Sequence, residues 1–317
     1  MTAGPIGLSP QTTRLIGRGD AGATTGPRRH SVRRQALTFA LFVVALLVGW
    51  EVVKALGGDP WRVQDGLGLG ITFEHFPPFH WAFASDLVLP HWFNILAVLF
   101  QPVQTGTDQS LVSFLAGAAF YTWREAFIGF VVGAILGLVL ATVFVHSRLM
   151  ERAFVPYVVA SQTIPIVALA PMIVFAFGPT VVSVVVIATY LTFFPVTIAM
   201  IRGLRSPDPR SLELMRSYAA SSWSTYRKVR LPASLPYLFT ALKIAATASI
   251  VGAIIGEGPG GIPDGLGRAI INFNQYYITA PERLWGSIVV SALLGITFFA
   301  LISLVEWVAL RGRPKAA

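Results

Sequence analysis

Residues Ala153 to Ile201 form 49 consecutive positions without a charged side chain. As one straight helix this stretch would be roughly 70 Å long at ~1.5 Å per residue, whereas the hydrocarbon core of a bilayer is only about 30 Å thick. The stretch therefore predicts two membrane spans joined by one reversal of the chain. Phe177-Gly178-Pro179 is the predicted turn, because glycine permits unusual backbone dihedrals and proline readily starts a new helix.

The composition of the whole chain agrees with a membrane protein. Hydrophobic residues make up 54% of its 317 positions and charged residues only 12%, which is roughly half the charged fraction of a typical water-soluble domain. The chain contains no cysteine, which excludes disulfides, thiolate catalysis and cysteine-ligated metal centres. Its five histidines are scattered, so we expect neither a metal site nor a cofactor.

Six helical spans account for the apolar stretches, so the predicted fold class is an all-α membrane protein with six transmembrane helices. Glycines 129, 133 and 137 recur at every fourth position of the second span and indicate close helix–helix packing. In chain order, the predicted spans are residues 36–56, Ala126–Val145, the two halves of Ala153–Ile201, Pro232–Gly256 and Leu284–Val305.

The distribution of positive charge predicts which side of the membrane each loop faces. With the N-terminus inside, the inner segments carry 18 Lys and Arg residues and the outer segments carry five. The apolar segment Leu87–Val103 is ambiguous, but counting it as a span would turn most of the cationic segments outward. The positive-inside tendency therefore favours cytoplasmic N- and C-termini and leaves 57–122 as an outer segment, whose Trp and Phe residues fit the membrane interface.

The predicted domain organisation follows from these boundaries. Residues 1–35 form a disordered basic tail in the cytoplasm. After the first helix and the outer segment 57–122, residues 123–310 form a five-helix core, and 311–317 form a second cytoplasmic tail. The net charge of +9 comes mostly from the cationic inner segments. We therefore interpret it as the charge bias that orients the chain in the plasma membrane, not as a sign of nucleic-acid binding.

A polar and basic loop, residues 206–232, separates the fourth and fifth spans. Asp208 followed by Pro209 predicts a helix N-cap and a first helical residue, and Ser221 is positioned to cap a second short helix. Trp223 and Tyr226, three residues apart, share one face of that second helix. A hairpin on the lipid surface and a docking element for a cytoplasmic partner both fit this pattern.

The polar loop resembles the cytoplasmic loop of binding-protein-dependent ABC importer permeases, in which Glu-Ala-Ala is followed by a Gly and the loop closes near Leu-Pro. Glu213 matches the glutamate, Leu214 and Met215 replace the alanines, and Ala219 replaces the glycine. The wider resemblance covers about residues 110–310 and points to the nitrate, sulfonate and taurine branch, which includes thiamine-precursor importers and has riboflavin importers as relatives. The stretches that carry it are GLRSPDP, LPASLPYLFTALKIA, TIPIVALAPMIVFAFG, and DGLGRAI after Glu257.

The resemblance implies a type I ABC importer permease that acts as a homodimer by alternating access. Two copies of a cytoplasmic ABC ATPase would dock on the polar loop, and an extracytoplasmic solute-binding protein would deliver a small organic solute. That solute would be a sulfonate- or nitrate-like anion, or a heterocycle such as a thiamine-precursor pyrimidine or riboflavin. The residues that the resemblance assigns to ATPase coupling are Glu213, Ala219, Ala220, Ser221, Trp223, Tyr226, Leu231 and Pro232.

No energy-converting chemistry of its own is predicted for the chain. None of its four lysines stands in a Gly-Lys-Ser/Thr sequence, which a phosphate-binding loop requires, and no catalytic constellation predicts an enzyme. An ion-coupled secondary transporter is the alternative, although the uncharged stretch offers no buried carboxylate, and a non-transporting scaffold is a third hypothesis. We expect Glu51, Glu125, Glu257 and Glu306, all near span ends, to reach water. Lys243 is expected to snorkel to the inner surface rather than to pair.

A translocation path requires polar side chains within the apolar spans. Pro165 and Pro171 are expected to distort the third span and to free backbone carbonyls there. The candidate lining residues are Ser161, Gln162 and Thr163 in the third span, Tyr190 in the fourth and Thr247 in the fifth.

Overall fold

The structure of the chain is a computed structural model, which describes residues 32–63, 73–104, 106–258 and 262–311. The disorder predicted for residues 1–31 and the tail predicted at 312–317 lie outside the described residues. By its internal contacts the chain divides into two compact units, Met1–Val52 and Val53–Ala317.

The first unit is described from Val32 onward and consists of helix α1 (Val32–Gly57), whose last five residues belong to the second unit. Leu37–Gly57 is long and apolar enough to cross a membrane. This candidate span covers nearly the same residues as the transmembrane helix predicted at 36–56.

The second unit is almost entirely helical apart from a short antiparallel hairpin, β1 (Trp61–Val63) and β2 (Phe73–His75). Its helices are α2 (Trp92–Leu99), α3 (Leu111–His146), α4 (Arg148–Ser161), α5 (Ile166–Phe177), α6 (Val181–Leu204), α7 (Pro209–Ser217), α8 (Ser222–Thr225), α9 (Leu231–Glu257), α10 (Leu266–Gln275) and α11 (Pro281–Leu310).

Among the described residues, five helices are long and apolar enough to cross a membrane, and the number is six if α4 and α5 count as one broken span. This agrees with the six predicted spans, and the turn predicted at Phe177-Gly178-Pro179 separates α5 from α6. Gly178 has a φ of +76° there, a conformation that glycine adopts without steric cost.

The centre of the bundle is formed by α3, α6 and α9, which pack against one another. The predicted glycine stripe of α3 lies on this contact. A Cβ added to Gly133 would lie 2.6 Å from the Cβ of Thr192, and one added to Gly129 would lie 2.4 Å from that of Ala188. The absence of side chains therefore lets the backbones of α3 and α6 approach closely.

The predicted third span is not one straight helix. The axes of α4 and α5 are bent by 99° relative to each other at the intervening residues. Pro165 provides the physical reason, because it lacks an N–H and disfavours a helical conformation of the preceding residue, Ile164. Pro171 lies inside α5 without ending it, so of the two prolines only Pro165 coincides with a break.

The segment 57–122 contains more regular structure than we predicted. Helix α3 begins at Leu111, so the end of this segment is continuous with the second span. Helix α2 packs against α3 and α11. Lys54 at the end of α1 is fully buried and donates hydrogen bonds to the carboxylate of Asp86 and, at 3.2 Å, to the carbonyl of Ala84. These bonds hold the loop before α2 against the end of α1.

Candidate functional site

The polar loop begins with the helix cap that the sequence predicts. The carboxylate of Asp208 accepts a hydrogen bond from the backbone N–H of Arg210 at 2.9 Å, and Pro209 is the first residue of α7. At the base of the loop, Arg205 donates to the carboxylate of Glu151 at 2.6 Å. This hydrogen bond raises the pKa of the Arg205 guanidinium, and the ion pair connects the end of α6 to the start of α4.

The turn after α7 depends on an unusual backbone conformation at Ala219. Its φ is +48°, the only positive value at a non-glycine residue in the described part of the chain. The N–H of Ala219 bonds the carbonyl of Arg216 at 2.9 Å, and the N–H of Ala220 bonds that of Met215 at 3.0 Å. This pair of bonds is a Schellman motif, in which the left-handed position is usually glycine. Ala219 therefore occupies the position of the family's glycine and adopts the conformation that glycine favours.

The second short helix is also capped as predicted. The hydroxyl of Ser221 accepts from the N–H of Ser224 at 3.2 Å. The rings of Trp223 and Tyr226 stack with centroids 5.5 Å apart. Only Trp223 is exposed, because Tyr226 is buried against α3, where its hydroxyl lies 3.0 Å from that of Thr142. Tyr226 therefore packs against the ring of Trp223 from the protein interior and is not accessible to a partner.

Helix α9 (Leu231–Glu257) has nearly the bounds of the predicted fifth span, but it is continuous with the helical segments before it. Residues Ser222–Glu257 form one continuous helical run in which 226–230 make a single π-helical segment. Pro232 lies directly after the π-helical segment 226–230, where the regular hydrogen-bond pattern of the α-helix is already interrupted. The second short helix of the polar loop and α9 therefore belong to one continuous helix.

The exposed surface of the polar loop is apolar and basic. Leu214, Tyr218 and Trp223 expose 56%, 76% and 67% of their surface. Glu213 is also exposed, so its side chain is available at this surface, and its carbonyl accepts from Ser217 at 3.2 Å. Neither Leu214 nor Tyr218 is among the residues that the family resemblance assigns to ATPase coupling.

The predicted path residues gather partly around the bend between α4 and α5. Tyr190 of α6 donates to the carbonyl of Ser161, and the side chain of Gln162 is partly buried at the same bend. The hydroxyls of Ser161 and Thr163 bond carbonyls of their own segment, at 2.8 and 2.7 Å. Thr247 of α9 bonds the carbonyl of Ile244 at 2.9 Å, so its hydroxyl is satisfied within its helix.

Gln162 differs from these hydroxyl residues. Its amide nitrogen is buried without a hydrogen-bond partner in the described part of the chain. A buried donor without a hydrogen bond destabilises the protein. This nitrogen is therefore suited to donate a hydrogen bond to a group outside the described residues, such as a passing solute. Gln162 therefore remains the best candidate for a polar group of the path.

Three charged residues in the spans behave differently from our expectation. Lys243 does not snorkel but pairs with Glu306 of α11 at 2.7 Å. Glu125 and Glu257 do not reach water, since both are fully buried, and their carboxyl groups lie close to each other between α3 and α9. In each case the neighbouring charged group lies on another helix. The spacing of residues along the sequence does not predict such a contact.

The apolar helices and the capped polar loop define a multi-span α-helical membrane protein of the transport-permease class. Residues 129–312 match the family described as binding-protein-dependent transport system inner membrane component, and the chain belongs to this family. It is a permease subunit of an ATP-driven ABC importer, as the resemblance predicted.

Individual relatives agree with this assignment. The chain is 35% identical over 285 residues to the formylaminopyrimidine transport permease protein ThiX of Halalkalibacterium halodurans, covering 89% of this chain and 98% of the relative. It is 27% identical to the putative aliphatic sulfonates transport permease protein SsuC of Bacillus subtilis, covering 80% of this chain and 83% of the relative. A crystal structure of an amino acid ABC transporter with histidines shares the fold, with a TM-score of 0.52 at 19% identity over 62% of this chain and 94% of that one.

Proposed function

We propose that the permease works as a homodimer that binds two cytoplasmic ATPase subunits through its polar loops and receives solute from an extracytoplasmic binding protein. In this arrangement both termini and the polar loop face the cytoplasm, and segment 57–122 lies on the outer side against the lipid interface. The excess of Lys and Arg in the predicted inner segments supports this orientation.

The observation that carries the proposal is the construction of the polar loop. An exposed tryptophan, stacked on a buried tyrosine and flanked by exposed apolar side chains, is the arrangement expected of an interface anchor. Because Ser222–Glu257 is one helical run, a displacement of Trp223 is transmitted directly to α9. ATP-driven closure of the two ATPases would thus move α9 against its neighbours and alternate the access of the path.

Within the bundle we propose that solute passes near the bend between α4 and α5. Gln162 offers an unpaired buried amide there, and Tyr190 packs beside it on α6. Ser161, Thr163 and Thr247 contribute less, because their hydroxyls already bond backbone carbonyls.

For the solute we favour a small heterocycle of the pyrimidine type over a sulfonate- or nitrate-like anion. The support is the extent of similarity: the formylaminopyrimidine permease matches 89% of this chain at 35% identity, whereas the sulfonate permease matches 80% at 27%. A thermal-shift screen of the partner binding protein would test this choice. Stabilisation by an aminopyrimidine and not by methanesulfonate is the expected result, and the reverse would contradict it.

The docking role is tested by Trp223→Ala in the permease coexpressed with its ATPase. Loss of a central interface tryptophan costs about 2 kcal/mol or more, which corresponds to an affinity at least ~30-fold weaker. We expect co-purification of the ATPase and solute uptake to fall together. Trp307→Ala is the matched control, since Trp307 on α11 is similarly exposed, at 56%, but lies outside the polar loop.

Unchanged co-purification and uptake in Trp223→Ala would contradict docking through the polar loop. The alternative function, an ion-coupled secondary transporter, requires uptake by the purified chain alone in an ion gradient. We expect no such uptake without the ATPase and ATP.

A further inference from the structure

The N-terminus of helix α10 is held inside the protein by two side chains from other helices. The N–H of Leu266 donates to the hydroxyl of Thr122 on α3 at 2.8 Å, and the N–H of Gly267 donates to the carboxylate of Glu257 on α9 at 2.7 Å. Thr122, Glu257 and Leu266 are fully buried. The first N–H groups of a helix lack partners within the helix, so these two bonds replace a local cap. We call this arrangement the α10 latch.

Two glycines make room for the α10 latch. Gly265 has a φ of +102°, and a Cβ at this position would lie 2.3 Å from the carboxyl carbon of Glu257. A Cβ on Gly267 would lie 2.1 Å from the carbonyl oxygen of Ile254. The sequence Asp-Gly-Leu-Gly at 264–267 therefore permits the close approach of the α10 backbone to the end of α9, which no larger residue would allow.

An oxygen acceptor from Glu257 also suits a helix N-terminus. The aligned peptide dipoles of α10 leave partial positive charge on the N–H groups at this end, which strengthens their hydrogen bonds to an oxygen acceptor. Glu125 of α3 is also fully buried and lies close to Glu257 and Tyr121. The buried acidic pair thus connects α3, α9 and α10 at one point.

Helix α10 forms a wall of two open clefts. One, of about 420 Å³, lies between α10 and the start of α3, and its polar lining includes Gln109, Ser113 and Asn272. The other, of about 690 Å³, lies beside the start of α11 and is lined by residues that include Gln104 and Tyr276. The position of α10 therefore determines the width of both clefts.

This surface lies far from the polar loop. Helix α9 starts directly after the loop and runs for 27 residues to Glu257, a length of about 40 Å at ~1.5 Å per residue. Beyond α10, the surface exposes Tyr276 by 65% and Ile278 by 81%. Clefts lined by amide, charged and apolar side chains, with an exposed aromatic and an exposed aliphatic residue nearby, have the mixed composition of a protein-docking surface.

We propose that Thr122 and Glu257 are positioning residues that hold α10 as the docking surface for the solute-loaded binding protein. This inference rests on the proposed function, since it requires an importer whose ATPases occupy the opposite end of α9. The latch acts through α10 and does not itself touch the binding protein.

The test uses the full permease assembled with its ATPases in nanodiscs, and measures ATP hydrolysis against the concentration of solute-loaded binding protein. Thr122→Val removes the hydroxyl at nearly constant shape and leaves the Leu266 N–H unpaired. We expect the half-saturating concentration of binding protein to rise roughly tenfold, with a much smaller change in the maximal rate. Thr122→Ser restores the hydroxyl and is expected to return the wild-type value.

Ser249→Ala is the matched control, because Ser249 is a fully buried residue of α9 whose hydroxyl donates to the carbonyl of Ala246 in its own helix.

Hydrogen exchange of the α10 amides in the same assemblies measures the α10 latch directly. We expect this exchange to be faster in Thr122→Val and unchanged in Ser249→Ala. Unchanged exchange in Thr122→Val would overturn the latch. Faster exchange with an unchanged half-saturating concentration would overturn the positioning role. Loss of ATPase assembly in the wild type would instead refute the proposed function.

Discussion

At the scale of single residues, Ala219 shows how a departure from a family pattern is accommodated. The Schellman motif after α7 needs a left-handed residue, and the two bonds that define it form with alanine in place of glycine. The Cβ of an L-residue makes this conformation unfavourable by roughly 1–2 kcal/mol. The turn geometry of the family is therefore retained, and the conformational cost is carried by one residue.

Replacement of Ala219 by glycine is expected to stabilise the polar loop. Removal of the Cβ relieves the left-handed strain, and the greater freedom of glycine in the unfolded chain offsets part of the gain, so we expect up to about 1 kcal/mol. Slower hydrogen exchange of the amides at residues 219 and 220 is the measurement. Ala233→Gly, in the first turn of α9, is the control and should destabilise its helix by about 1 kcal/mol. Faster exchange in Ala219→Gly would contradict the account.

At the scale of elements, the contact between α3 and α6 depends on small residues. Gly129, Gly133 and Gly137 face α6 at distances that leave no room for a side chain. Their spacing of four positions along the helix places them on one face, so this contact was predictable from the sequence. The bend between α4 and α5 was predictable only in part, because Pro165 marks the break but not its angle of 99°.

The close contact predicts opposite effects of the same substitution at two glycines. Gly133→Ala places a Cβ 2.6 Å from that of Thr192, and the resulting overpacking should destabilise the bundle by about 1–3 kcal/mol. Gly295→Ala on α11 meets no atom within 4 Å and should be neutral or stabilising, because alanine has the higher helix propensity. Unfolding midpoints in detergent measure both, and equal midpoints for the two variants would argue against tight α3–α6 packing.

At the scale of the whole molecule, the energy for transport has to arrive from outside the chain. The sequence contains no phosphate-binding loop, and the exposed apolar surface of the polar loop is the part of the described chain that we assign to receiving the ATPases. The α10 latch lies at the other end of α9. A single helical run, Ser222–Glu257, therefore connects the proposed site of energy input with the proposed site of solute delivery.

The orientation of the molecule is testable because the natural chain has no cysteine. Ser217→Cys introduces an exposed thiol in the polar loop, and Thr279→Cys introduces one beyond α10. In intact spheroplasts, a membrane-impermeant maleimide is expected to label the protein with Thr279→Cys and to leave that with Ser217→Cys unlabelled until the cells are lysed. The opposite labelling would reverse the proposed topology.

Four features could be predicted from local sequence patterns alone: the apolar helices, the turn at Gly178, both helix caps of the polar loop and the glycine stripe of α3. These features depend on hydropathy, dihedral preference and hydrogen bonds between near neighbours, all of which are properties of short segments. The family resemblance, carried by Glu213 and the stretches around it, followed from the same local patterns.

The contacts between polar groups of different helices could be seen only once the helices were packed. Lys243 and Glu306 are 63 residues apart in sequence, and Leu266 and Thr122 are 144 apart. Both contacts form because helix packing brings distant positions together, and desolvation makes an unpaired charge or N–H at those positions costly. The burial of Glu125 beside Glu257, which we had expected to reach water, has the same origin: their distance from the span ends was readable in the sequence, but the helices that cover them were not.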